Sequence, residues 1–210
     1  VTDWDKRTYD IDIKASSKLT KSTTITNNEV SDTMLVLDVS GSMLFDSAHT
    51  TGSQEYATFY GECNQNTLNN LDTTKIYYYG KGTRTVWYQN QYSYTNLAHP
   101  MIYVDGKWKY LASGDFWVDV PTSSNTSIYT SASRLNGLKE AAMGFVSSMA
   151  QSSPNSKLGI ATFNSNLEET VAIETIGTNV NGILMKIAAM TASGGTQQDK
   201  GLSNARIRDR

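Results

Sequence analysis

With 210 residues, 39% of them hydrophobic, and a net charge of −2, the chain can bury a sizeable core, as one domain with an insertion or as two small domains. Its 18 lysines and arginines are scattered and leave no basic tract to follow a phosphate backbone, which argues against nucleic acid as a partner. No apolar stretch approaches the roughly 20 residues of a spanning helix, so no membrane insertion is expected, and a single cysteine, Cys63, with two histidines, His49 and His99, rules out an internal disulfide framework and a multi-cysteine zinc site.

Residues 1–32 read as a leading strand and linker. Tyr9, Ile11, Ile13 and Ala15 alternate with Asp10, Asp12 and Lys14, the period-two pattern of a half-buried strand, and the polar stretch 16–28 connects it onward. Met34, Leu35, Val36 and Leu37 then form an unbroken apolar run, suited to a central parallel strand covered on both faces. Asp38 closes the run. Ser40 and Ser42 follow at two-residue spacing around Gly41, so one carboxylate and two hydroxyls can turn toward a common point. Oxygen-only ligands of this kind suit a hard cation such as Mg²⁺, and open α/β sheets bind ligands just outside the carboxyl ends of their strands.

No helix pattern follows Met43. Residues 44–130 hold eleven of the 12 tyrosines and three of the 4 tryptophans, with frequent turn signals, and predict a β-rich inserted arm. Asp105-Gly106, between Ile102-Tyr103-Val104 and Lys107-Trp108-Lys109-Tyr110, predicts a hairpin because Asp-Gly adopts the positive φ angles of a type I′ turn. Gly80-Lys81-Gly82 predicts another, between 76–79 and 83–88.

From Ser133 an α/β pattern resumes. Leu135, Leu138, Ala142, Phe145 and Met149 recur at helical spacing, opening at Ser131 or Ser133 and stopping before Pro154. Strands are predicted over 158–163 and 169–175, a helix through Val180, Ile183, Leu184 and Ile187, and a last helix from about Gln198 carrying Leu202 and Ala205. Between these two helices lies Ser193-Gly194-Gly195-Thr196, whose glycines permit close approach of backbone to another loop.

The Asp-x-Ser-x-Ser pattern of Asp38, Ser40 and Ser42, together with the later Gly-Gly-Thr, resembles the metal-ion-dependent adhesion site of von Willebrand factor A domains. The resemblance covers residues 33–43 and 131–210. It implies a doubly wound, Rossmann-like α/β fold, C-terminally truncated, with the β-rich insertion after the first core strand. It also implies that Thr196 completes the metal's protein shell and that Asp199, one turn on, acts behind it, although a carboxylate near a helix N-terminus is stabilising there without any metal. The family carries a further aspartate after its fourth strand, which would lie beyond Arg210, so these residues are expected to be the front half of a domain.

Placement of the insertion next to the metal loop resembles the tip or ancillary adhesins of sortase-assembled pili in Gram-positive bacteria. What this implies is a cell-wall-anchored or pilus-associated, extracellular binding domain, not an enzyme. Asp38, Ser40, Ser42 and Thr196 would hold Mg²⁺, with Mn²⁺ competing and Ca²⁺ less suited, and leave one position for a carboxylate of a host extracellular matrix protein. Pilus shaft subunits are the alternative partner, for a scaffolding role. In the arm, Trp87, Trp108 and Trp117 could offer flat faces to a host glycan, although aromatics more often build the core of a small β unit. Catalysis lacks parts, since His49 and His99 form no triad pattern with Ser42. Cys63 reads as a buried free thiol rather than half of a thioester, and Lys14 as a solvent-facing strand lysine rather than an isopeptide donor.

Overall fold

The structure, a computed structural model, describes residues 30–45, 57–80, 86–88, 91–93, 99–113, 116–165 and 167–197. The predicted strand over 7–15, Lys14, His49, Asp199 and the last predicted helix lie outside the described residues. In chain order the elements are β1 (Asp32–Asp38), β2 (Ala57–Asn64), α1 (Gln65–Asn69), β3 (Tyr77–Gly80), β4 (Val86–Tyr88), β5 (Gln91–Ser93), β6 (His99–Val104) and β7 (Lys107–Ala112). They continue with β8 (Phe116–Asp119), β9 (Ser123–Ser131), α2 (Arg134–Ser152), β10 (Lys157–Phe163), β11 (Leu167–Thr175) and α3 (Val180–Ala189).

The doubly wound, Rossmann-like expectation is overturned by the strand pairing. The strands assemble as a mixed three-stranded sheet, β1-β10-β11, a six-stranded sheet, β2-β9-β3-β6-β7-β8, and the pair β4-β5. Among the described residues only β1 and β10 pair in parallel; β11 returns antiparallel to β10, and the pairs of the larger sheet are antiparallel. A doubly wound sheet needs repeated strand-helix-strand crossovers. Here a single long crossover, containing the whole six-stranded sheet and α2, joins β1 to β10, and β10 passes to β11 without a helix.

The apolar run in β1 accordingly behaves differently from a central strand. Among the described residues its ladder partner is β10 alone, and Met34, Leu35 and Val36 are half-buried while Leu37 is buried. A strand with neighbours on one side cannot be covered as completely as one flanked on both. Residues 76–79 and 83–88 likewise form no hairpin, because β3 pairs with β9 and β6, and β4 pairs with β5. At Asp105 and Gly106 the φ angles are 53° and 73°, the two positive values a type I′ turn requires, and β6 pairs in register with β7 across it.

Helix α2 opens on Ser133, whose hydroxyl accepts from the Asn136 N–H at 3.1 Å. Its buried stripe runs through Leu135, Lys139, Ala142, Met143, Val146 and Met149, and Phe145 is 44% exposed, so the inward face is turned slightly from the one the apolar spacing suggests. One apolar cluster joins Leu37 and Val39 with Leu158, Ile160, Val171, the inner faces of α2 and α3, Ile76 just before β3, and Ile102 and Val104 of β6. Helix α3 touches both β6 and β11, which places the helices between the two sheets. Successive residues of a strand face opposite ways, and the other face of the six-stranded sheet closes a second cluster around Cys63, Leu68, Tyr77, Tyr79, Met101, Trp108 and Ile128.

Candidate functional site

Asp38 is the last residue of β1, and the chain turns sharply after it. The carboxylate oxygen Oδ1 accepts from the Ser40 N–H at 2.8 Å, which fixes the turn and leaves Oδ2 without a partner among the described residues. A short 3₁₀ turn over Gly41–Leu44 then brings the Ser40 and Ser42 hydroxyl oxygens to 3.3 Å from each other. Ser40 is 1% exposed, whereas Ser42 is open to solvent, so the pair spans the boundary between protein interior and water.

The Gly-Gly-Thr loop lies against this turn. Gly41 N donates to Gly194 O at 2.9 Å and Ser193 N donates to Val39 O at 2.9 Å, a reciprocal pair of backbone bonds between segments about 150 positions apart in sequence. Gly194 needs its missing side chain, because its φ is +70° and an added Cβ would lie 2.9 Å from Ser165 Oγ. Thr196 is held from both sides: Gly195 N donates to Ser165 Oγ at 2.6 Å and Gln197 N donates to Asn164 O at 3.1 Å. The Thr196 side chain is exposed.

Asn164 and Ser165 were not among the residues singled out from sequence. They follow the carboxyl end of β10, the parallel neighbour of β1, so they emerge beside Asp38. An Asn-Ser turn at a parallel strand's end was the available signal.

Adjacent ligands of an octahedral ion with bonds near 2.1 Å lie about 3.0 Å apart, close to the 3.3 Å between Ser40 Oγ and Ser42 Oγ. Among the described residues no group of three His, Cys, Asp or Glu side chains gathers that could hold a metal. What the turn itself brings together is one carboxylate and two hydroxyls, oxygen donors of the kind a hard cation takes, with Thr196 on the adjoining loop.

No protein-family model matches the chain, and no curated protein matches it. Among solved structures it is similar to one described as an uncharacterized membrane spanning protein from Vibrio fischeri, at 14% identity and a TM-score of 0.40, over 86% of this chain and 50% of that one. The chain thus spans half the length of that protein. Among the described residues no helix is long and apolar enough to cross a membrane, which says nothing of β-barrels.

The arm aromatics separate. Trp87 lies in β4. Trp108 is 8% exposed, belongs to the second apolar cluster and donates its indole N–H to Leu68 O at 3.1 Å. Trp117, on β8, is half-buried against the main cluster. Cys63 is buried, and its thiol donates to Pro121 O at 3.3 Å. His99 stands at the start of β6, its ring 6.1 Å from that of Tyr110.

Proposed function

We propose that this chain is a metal-dependent adhesion domain of a bacterial cell-surface or pilus-tip protein, which grips a carboxylate of a host extracellular ligand through a divalent cation held by Asp38, Ser40, Ser42 and Thr196. The observation that carries this reading is the meeting of the Asp-x-Ser-x-Ser turn with the Gly-Gly-Thr loop through the reciprocal bonds of Gly41 with Gly194 and of Ser193 with Val39. The likeness to von Willebrand factor A domains rests on these two loops and not on the sheet around them.

Each residue has a part that follows from its surroundings. Asp38 supplies the anionic oxygen, with Oδ1 tied to the Ser40 N–H so that the carboxylate is held in one orientation. Ser40 contributes a hydroxyl from a site closed to bulk water, and Ser42 one from the open side. Thr196 comes from the facing loop, whose backbone is pinned by Asn164 and Ser165. A bound cation supplies the concentrated positive charge that draws in an anionic oxygen from the ligand. Mg²⁺ is the first choice, Mn²⁺ competes, and Ca²⁺, which prefers more ligands, is less suited.

The test is a calorimetric titration of Mg²⁺ and Mn²⁺ into the chain and into Asp38→Ala. Saturable binding to the chain and its loss in the variant at unchanged melting temperature is the expected result. No saturable binding of either ion up to about 10 mM, roughly tenfold beyond the weakest extracellular cation sites, would overturn the reading. A variant that still binds the host surface but no longer assembles with pilus shaft subunits would replace adhesion with scaffolding.

A further inference from the structure

A cleft of about 570 Å³ opens on the six-stranded sheet, between α1 with the turn after it and the end of the β6–β7 hairpin. Its size falls among those of small-molecule sites, roughly 300–1,000 Å³. Half-buried Tyr103 forms its aromatic side, with the largely buried Trp108 packed edge-on behind it, ring centroids 5.3 Å apart at 65°. The amides of Gln65 and Asn69, both on exposed residues, also line it.

These amides have hydrogen-bonding capacity to spare. Gln65 Nε2 donates to Asn69 Oδ1 at 2.8 Å, which leaves Gln65 Oε1 as an acceptor and Asn69 Nδ2 as a donor, side by side and without partners among the described residues. Exchanging oxygen and nitrogen in both amides leaves the same complement of one acceptor and one donor. The Thr73 and Thr122 hydroxyls, also in the wall, have no partner among the described residues either. Lys107 and Asp119 are paired at 2.8 Å and Lys109 meets the same carboxylate at 2.8 Å, so each charged group of the wall already has an ionic partner.

A ligand matching this wall needs one apolar face for the rings, several groups that both donate and accept, and no net charge. Pyranose sugars have this form, with axial C–H bonds on one face and hydroxyls around the edge. We propose that the cleft is a second, metal-independent binding site that takes a neutral pyranose residue of a glycan. It lies apart from Asp38 and its partners, and its ligand needs no carboxylate.

Lactose, maltose and cellobiose, titrated into the whole chain in EDTA and followed by ligand-observed NMR, test it. Trp108 is too buried to replace safely, so the variant is Gln65→Ala with Asn69→Ala, which leaves the α1 cap residue Asn64 and the ring pair in place. Saturable binding of at least one disaccharide, weakened about tenfold by the double substitution as expected for two lost neutral hydrogen bonds, supports the site. The proposal is overturned if none of the three binds by about 20 mM, well past the millimolar affinity of a weak site. It also falls if the double variant binds as well as the parent, or if only a charged sugar such as sialyllactose binds. Because EDTA is present throughout, failure here leaves the metal reading standing, and failure of the metal reading leaves this one standing.

Discussion

Excising the six-stranded sheet should unfold the remainder, although the chain ends left behind are already adjacent. Arg134 N donates to Phe45 O at 2.9 Å, so replacing residues 46–131 with a short glycine linker places no geometric strain on β1, α2 or the later elements. What the excision removes is cover. Ile76, Ile102 and Val104, at 1%, 0% and 3% exposure, pack from the sheet into the cluster containing α2 and α3. At about 1.5–3 kcal/mol for each fully buried aliphatic side chain, these three contribute roughly 4.5–9 kcal/mol. That is comparable to the whole stability of a typical domain, about 5–15 kcal/mol. The excision also bares the apolar faces of Ile183 and Ile187, each 0% exposed in the intact chain. Circular dichroism with urea, alongside gel filtration, should show no cooperative transition or an aggregate. A monomer that unfolds cooperatively with the stability expected of an independent α/β unit would refute the shared core. Ile102→Ala, a milder form of the same perturbation, should cost about 2–5 kcal/mol.

Gly194→Ala forces a Cβ into a left-handed backbone against Ser165 and should cost about 1–2 kcal/mol in urea unfolding, with weaker Mg²⁺ binding if Thr196 is a ligand; Gly137→Ala, in α2 with open space where its Cβ would go, should stabilise by about 0.5–1 kcal/mol instead. Lys139→Met keeps the buried stem but strips the donor that meets Ala188 O at 2.9 Å, the carbonyl near the end of α3, and should lower stability by about 1.5–3 kcal/mol in the same assay. Lys107 and Lys109 hold the Asp119 carboxyl down at about 2. Since this lies below the ordinary value near 3.9, the contribution to β7–β8 pairing is fully present above about pH 4 and is lost as pH falls through about 2; amide exchange at β8 should quicken across that window, and Asp119→Asn should abolish the step.

Local patterns were read from sequence with good positional accuracy where the physics is local. A serine cap with period-3.6 apolar residues places α2, because the hydroxyl and the stripe act within a few residues of each other. Asp105-Gly106 specifies its turn through the backbone freedom of two residues. The Asp38-x-Ser40-x-Ser42 cluster is visible for the same reason, as is the need for glycine before Thr196. Phe145 shows the limit: spacing alone made it an inward residue, but the inner face of α2 is decided by what packs on it.

By itself, then, the sequence determined β1, the β6–β7 hairpin, α2, β10, β11 and α3 and the short-range constellation of one carboxylate with two hydroxyls, since helical and strand periodicity, caps and tight turns depend on neighbours along the chain. Only the tertiary structure decided how the strands pair. β11 turning back antiparallel on β10, and β3 pairing with β9 and β6, depend on contacts between distant segments that leave no periodic trace in either partner. The placement of α2 and α3 between two sheets, which ties the aromatic-rich segment into the core, and of Asn164 and Ser165 behind Thr196, has the same origin. Hydrophobic burial is non-directional: an apolar strand declares that it will be covered, and only the packed chain shows by what.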